Sequence, residues 1–153
     1  MTSEEKETLC DRAFREGAAA RLEGRLEDAL RLFRQSLEEC PPQDRKLLGG
    51  INGMIGAVER KRGSLTSAEK HSRIATTLLP RSQLASVGMF HSLWDQEKRR
   101  EALDEVIRLV SLRDSEHYSE LLSHGFRDDL GVELLALADR ARAILSGYVD
   151  ENK

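Results

Sequence analysis

An internal repeat is the feature of this 153-residue chain that most restricts its fold. The segment GRLEDALRLFRQSLEECP at residues 24–41 is matched by GSLTSAEKHSRIATTLLP at residues 63–80. The opening glycines, the alanines five residues later and the closing prolines are all separated by 39 residues. Equal displacement of three landmarks indicates a repeated helical unit rather than a chance match.

Small residues occupy matching places in the two copies. Glycine ends a helix readily because it adopts a left-handed backbone without a steric penalty. Proline closes each copy because it cannot continue a helix. Small side chains elsewhere allow neighbouring helices to approach closely. The small residues of the two copies are Gly17, Gly24 and Ala29, then Gly56, Gly63 and Ala68.

This spacing resembles the tetratricopeptide repeat (TPR), a helix–turn–helix unit of ~34 residues. A third, more divergent copy has Ala102 as its small residue, with Phe90, Glu97 and Asp114 replacing the two glycines and the proline. The first two copies lie five residues further apart than the family period, which predicts an enlarged loop or an extra helical turn at 43–48. The residues that carry the resemblance are Gly17, Ala20, Gly24, Ala29, Phe33 and Pro41, then Gly56, Gly63, Ala68, Ala75 and Pro80.

The resemblance implies an all-α fold. We expect a right-handed superhelix of about three TPR-like antiparallel helix pairs followed by a C-terminal capping helix, because stacked repeats need a cover for their apolar end. This would be a single domain over residues 1–153. Its repeats would span approximately 10–43, 49–82 and 83–114, with a capping region at 115–153.

The helical periodicity predicts where the elements lie. Thr2 and Glu5 form a T-x-x-E capping signature, so a first helix is expected from about Ser3 to Glu23. Asp128 or Asp129 is expected to cap the last helix, from about 130 to 148. The apolar stripe expected on that helix is Leu130, Leu134, Leu137, Ala141 and Leu145. Between them we expect helices at about 26–40, 45–62, 65–79, 82–96 and 98–112, then a short helix in SEHYSELL that ends at Gly125.

Charge and hydropathy narrow the classes of function. Residues 1–42 carry seven Lys and Arg against ten Asp and Glu, residues 43–113 carry 13 against eight, and residues 114–153 carry four against nine. The basic middle lacks the concentrated basic face and aromatic chemistry of a nucleic-acid interface. The longest apolar run, 134–138, is far shorter than a bilayer span, and MTSEEKE does not resemble a secretion signal. We therefore expect a soluble cytoplasmic protein that binds neither nucleic acid nor membrane.

Catalytic and metal-site chemistry has little support in the sequence. Phosphate-binding, zinc-protease and serine-hydrolase motifs are absent, so we expect no enzyme and no cofactor. The two cysteines, Cys10 and Cys40, lack metal-ligand spacing and are expected to be reduced thiols. A remote alternative is a helical metal-binding enzyme that uses His117, Glu120 and His124.

The resemblance implies a concave groove built mainly by the first helix of each repeat, which receives a peptide or helix of another protein. Gly49, Gly53 and Gly56 lie at i, i+4 and i+7 of one helix, and they favour either tight helix packing or a deep groove floor. Trp94 either anchors a partner in the groove or packs under the last helix. The residues assigned to the groove are Phe14, Ala18, Arg21, Gly53, Ala57, Arg60, Val87, His91 and Trp94.

The expected function is therefore a non-catalytic protein-interaction module. The alternative that remains open is a chaperone or immunity protein for a secreted effector or toxin. A carboxylate clamp of the co-chaperone type is not expected, because its positions hold Phe14, Ala18, Met54, Leu84 and Gly88 rather than Lys and Asn. The sequence leaves open whether the chain forms homo-oligomers.

Overall fold

The computed structural model describes residues 7–151, with the side chains of residues 7–148. The described part is all-α and contains no strand. A 3₁₀ helix at Phe126–Asp129 separates the last two helices. The α-helices are α1 (Leu9–Leu22), α2 (Leu26–Glu39), α3 (Arg45–Lys61), α4 (Leu65–Leu78), α5 (Gln83–Trp94), α6 (Arg99–Val110), α7 (Glu116–Ser123) and α8 (Val132–Glu151).

The chain divides into two compact units, Met1–Leu79 and Pro80–Lys153. In unit 1, α1 packs on α2, α3 packs on α4, and α2 and α3 also contact each other. Its core includes Phe33 from α2 and Ile51 and Ile55 from α3. In unit 2, α6 packs on both α5 and α8, and the core is centred on Phe90, Leu109 and Tyr118. Each unit therefore has an apolar core of its own.

Helix pairs α1–α2, α3–α4 and α5–α6 are joined by turns of the same geometry. Gly24 and Gly63 adopt a left-handed backbone with φ of 78° and 83°, and Glu97 takes the third position with φ of 63°. In each turn the amide of this residue donates to a carbonyl three residues back, and the next amide donates to a carbonyl five residues back. Glu97 thus occupies the place of the turn glycine despite its side chain.

The replacement of a glycine by Glu97 leads to a stability prediction. A side chain at positive φ strains the backbone, and the Glu97 side chain is exposed, so Glu97→Gly should raise the free energy of unfolding by about 1 kcal/mol. The matched change Gly63→Ala should lower it by about as much. Urea unfolding followed by circular dichroism measures both. A loss of stability in Glu97→Gly would contradict the shared turn geometry.

Small residues mark the tightest contacts of the hairpins. Ala29, Ala68 and Ala102 lie one turn into the second helix of each pair, and all three are 0% exposed. Of the five additional residues between the first two sequence copies, four extend the start of α3, which begins 18 residues before Gly63, whereas α5 begins 14 residues before Glu97. Of the two alternatives at 43–48, the extra helical turn is therefore confirmed.

The ends of the first and last helices differ from the prediction. α1 begins at Leu9 rather than near Ser3, because Thr8 is extended and its side chain accepts a hydrogen bond from the Asp11 amide. The T-x-x-E signature at residues 2–5 lies outside the described residues. Thr8 is therefore an ordinary N-cap, because its side chain binds the backbone amide three residues later.

The prediction for α8 was wrong at its start. Asp128 and Asp129 belong to the 3₁₀ helix, and α8 begins at Val132. Ala141 and Leu145 of the predicted stripe are buried, as is Ala138, whereas Leu130, Leu134 and Leu137 are partly buried. The face centred on the two alanines is buried because they allow α8 to approach α6 closely. Within residues 7–151, every helix is too short or too polar to cross a lipid bilayer.

Candidate interaction surface

Six of the nine residues assigned to the groove lie in unit 1, on two helices that contact each other. Phe14, Ala18 and Arg21 share one face of α1, and Gly53, Ala57 and Arg60 share one face of α3. Five of the six are partly buried and Arg60 is exposed. None belongs to the fully buried core, so this surface, which we call the α1–α3 face, is accessible to a partner.

The apolar part of the α1–α3 face rests on the core of unit 1. The ring of Phe14 packs against Phe33 with centroids 5.7 Å apart, and Ala18 and Met54 also pack on this core. Leu22 continues the same side of α1 one turn beyond Ala18 and is 84% exposed. Leu22 is absent from the sequence prediction because a TPR comparison does not assign it inward, although its i+4 spacing from Ala18 indicated a shared face.

The glycines of α3 have two different environments. A Cβ at Gly56 would lie 2.7 Å from Ser72 Oγ and 3.2 Å from the Ala68 carbonyl oxygen, and one at Gly49 would lie 2.6 Å from the Leu79 side chain. Both glycines therefore permit close packing of α4. A Cβ at Gly53 would lie 3.9 Å from the Ala75 Cβ, which is an ordinary contact. Gly53 is thus the glycine of this face that leaves unused space.

This difference predicts opposite effects of the same substitution on one helix. Gly53→Ala should raise the free energy of unfolding by up to ~1 kcal/mol, because alanine favours the helix and finds room. Gly56→Ala should lower it by ~1–3 kcal/mol, because the methyl group meets a backbone oxygen of α4. Chemical denaturation measures both. Gly50→Ala, where nothing lies within 4 Å, is the control for helix propensity. Equal effects at Gly53 and Gly56 would contradict the assigned α3–α4 packing.

The other three assigned residues, Val87, His91 and Trp94, lie on α5 in unit 2 and are all partly buried. Trp94 stacks on Phe90 with centroids 5.5 Å apart and lies 4.9 Å from the ring of Phe126. Its outer side is covered by the Arg99 guanidinium, 5.1 Å from the ring centroid, in a cation–π contact. Trp94 therefore supports the core of unit 2 while part of its surface stays exposed.

Val87 and His91 belong to a strip on α5 that also includes Leu84. Leu84 is 85% exposed and lies three and seven residues before them, on the same side of the helix. The His91 ring meets Phe90 edge-on at 5.2 Å and His117 at 6.3 Å. We call Leu84, Val87 and His91 the α5 strip. As on α1, a highly exposed leucine extends the residues assigned from the sequence.

A buried polar network that no sequence pattern indicated joins three helices of unit 2. Ser86 of α5 donates to a Glu105 carboxylate oxygen at 2.6 Å, and the hydroxyls of Ser86 and Tyr118 are 2.7 Å apart. Because the Ser86 proton points to Glu105, the Tyr118 hydroxyl is the donor to Ser86. Burial raises the pKa of Tyr118, which keeps this donor protonated. Arg108 completes the network with two bonds of 2.7 Å to Glu105.

Unit 1 contains a smaller polar pair. His71 Nδ1 lies 2.9 Å from Asn52 Oδ1, and Asn52 Nδ2 donates to the Leu48 carbonyl oxygen. Burial lowers the pKa of His71, with a further contribution from the positive charge of Lys70. The pair ties α3 to α4 by neutral hydrogen bonds. The hydrogen bond to Asn52 gives His71 a structural role.

The histidines suggested for a metal site do not converge. His117 packs its ring against His91 and Tyr118, whereas His124 lies 3.8 Å from the Glu120 carboxylate in an exposed pair. Among the described residues, no three His, Cys, Asp or Glu side chains are close enough to hold a metal ion. The structure therefore offers no geometric support for the ligand set His117, Glu120 and His124.

Comparison with known proteins does not assign this chain to a family. A scan against protein-family models finds no match to this chain, and a search of curated proteins finds no significant match. The argument for function thus depends on the surfaces described above.

Proposed function

We propose that this protein is a non-catalytic interaction module of the TPR type, which binds a peptide or helix of another protein on its α1–α3 face. The observation that carries the proposal is the accessible apolar strip of Phe14, Ala18 and Leu22, which lies beside Arg21 on α1. Exposed apolar patches flanked by polar groups are typical of interaction sites. Three hairpins with the same turn geometry further support the assignment of TPR-like units.

The chemistry of the face indicates what kind of segment it binds. The apolar strip suits one side of an amphipathic helix or the alternate side chains of an extended peptide. Arg21 and Arg60 lie at the turn end of α1 and α3 and favour a partner with acidic groups at the corresponding end. The α5 strip of unit 2 is a separate apolar surface and is tested on its own. Arginine and aromatic residues supply much of the energy at many protein interfaces.

A photo-crosslinking experiment tests the position of the binding surface. A photoreactive amino acid at Ala57, on the α1–α3 face, should link a partner from the native host, whereas one at exposed Gln35 on α2 should not. The linked protein is identified by mass spectrometry and then purified for binding measurements. A partner that links equally at both positions, or at Gln35 alone, would place the binding surface elsewhere.

Charge-reversal variants then measure the contribution of the face. We expect Arg21→Glu and Ala57→Glu to weaken binding of the purified partner at least tenfold, which corresponds to about 1.4 kcal/mol. Val87→Glu tests the α5 strip in the same assay. Arg31→Glu, on the exposed side of α2, is the matched control and should bind normally. Unchanged affinity in folded Arg21→Glu and Ala57→Glu would refute the proposed site.

A further inference from the structure

The two cysteines of the chain lie at the same end of the first hairpin. α1 and α2 run antiparallel from the turn at Gly24, and the Phe33 ring fills the space that a side chain at Gly17 would need. One turn further from Gly24, Ser36 Oγ donates to the Cys10 carbonyl oxygen at 2.8 Å and lies 3.3 Å from Cys10 Sγ. Cys40 follows Ser36 by four residues, so it faces the same end of α1.

Both thiols are buried in the core of unit 1. Cys10 is 2% exposed and Cys40 is 7% exposed, and both belong to the same apolar cluster. Burial raises the pKa of the Cys40 thiol to about 11, and its Sγ lies 3.6 Å from the Pro41 carbonyl oxygen. Both thiols therefore lie in one part of this core, close to Ser36 of α2. The Cys40 thiol is protonated at neutral pH and both thiols are buried, so they react slowly and only when the end of the hairpin opens.

We propose that Cys10 and Cys40 form an intramolecular disulfide that closes the first hairpin when a low-molecular-weight disulfide is present. One cysteine loses its proton to solvent, and its thiolate attacks the small disulfide and releases one small thiolate. The second cysteine thiolate then attacks the mixed disulfide and releases the other. The two cysteines give up two electrons, the small disulfide accepts them, and both released thiolates take up the protons.

The disulfide is expected to stabilise unit 1. It would join residues 10 and 40 and so restrict the unfolded chain over the whole first hairpin. A loop of this length corresponds to a rise in Tm of roughly 10 °C. The stabilisation by the disulfide is independent of the proposed binding function, because it requires only that the two thiols meet in the folded protein.

Oxidation of the full-length protein tests the proposal. The protein is incubated with oxidised glutathione in urea at a concentration that opens the hairpin, and the urea is then removed by dialysis. We expect a monomer that carries no glutathione and has no thiol that can be titrated. Its Tm should be roughly 10 °C higher than that of the reduced protein, and dithiothreitol should remove this difference. Mass spectrometry of the digested protein should find the peptides that contain Cys10 and Cys40 linked.

Single-cysteine variants supply the control. Cys40→Ser and Cys10→Ala should each take up glutathione or remain free, without the rise in Tm. Two variants are used so that one remains informative if the other is destabilised. The proposal is overturned if the wild-type thiols stay free, carry glutathione or link two chains after the urea treatment. It is equally overturned if the intramolecular disulfide forms and lowers the Tm.

Discussion

Deletion of residues 126–153 should unfold the second unit. This segment contains α8, whose Ala138, Ala141 and Leu145 belong to the core that also holds Phe90 and Tyr118. Without α8, the face of α6 that it covers would be exposed to water. The lost burial corresponds to about 5 kcal/mol or more, which is comparable to the whole stability of a small domain.

Thermal melting, light scattering and a hydrophobic dye would detect this loss. The truncated protein should lose cooperative melting of unit 2, bind the dye and aggregate. Two point variants keep α8 in the chain and test whether the burial of its inner face stabilises unit 2. Ala141→Glu places a charge in the core and should be severely destabilising, whereas Ala136→Glu lies on an exposed position and should be near neutral. A truncated chain that stays monomeric and melts as the full chain does would refute the role of α8.

Arg108→Ala should lower the free energy of unfolding by about 3 kcal/mol. The guanidinium makes both of its short bonds to the carboxylate of Glu105, which is 9% exposed, and it also donates to the Pro80 carbonyl oxygen at 2.8 Å. The variant would leave the buried Glu105 carboxylate with Ser86 as its remaining donor. Removal of the partner of a buried carboxylate is costly for this reason.

A surface pair and a double variant provide the controls for Arg108. Arg73→Ala breaks an exposed pair with Glu69 at 3.0 Å and should cost less than 1 kcal/mol. The double variant Glu105→Met with Arg108→Met removes both charges, so it should be less destabilised than Arg108→Met alone. Chemical denaturation measures all four variants. If Arg108→Ala lowers the free energy of unfolding by no more than Arg73→Ala does, the Arg108–Glu105 pair stabilises the protein no more than a surface pair.

Local patterns in the sequence predicted the elements of this fold well. The all-α class is confirmed, and the second to sixth helices lie within a few residues of their predicted bounds. Ala29, Ala68 and Ala102 were chosen as the small contact residues and are fully buried. These features depend on helical periodicity, on glycine at left-handed turns and on proline as a stop signal. Each acts within a few residues, so each is visible in the sequence.

Residues of the candidate surface were predicted in part. The nine assigned positions avoid the buried core, because inward helix positions can be counted from the turn glycines. The exposed Leu22 and Leu84, and the room beside Gly53, emerged from the structure. Exposure depends on what neighbouring helices cover, and that information is distributed over the chain. Whether this surface binds a partner stays a prediction.

Sequence alone thus determined the helical class, the repeated turns and the small residues at helix contacts, because these are set by short-range backbone preferences. Only the tertiary structure decided the left-handed backbone of Glu97, the start of α8, the network of Ser86, Glu105 and Tyr118, and the burial of Cys10 and Cys40 in one core. Glutamate does not favour positive φ, and the partners in the other contacts lie 19 to 32 residues apart along the chain. Such features arise when packed helices impose a geometry that no single segment prefers.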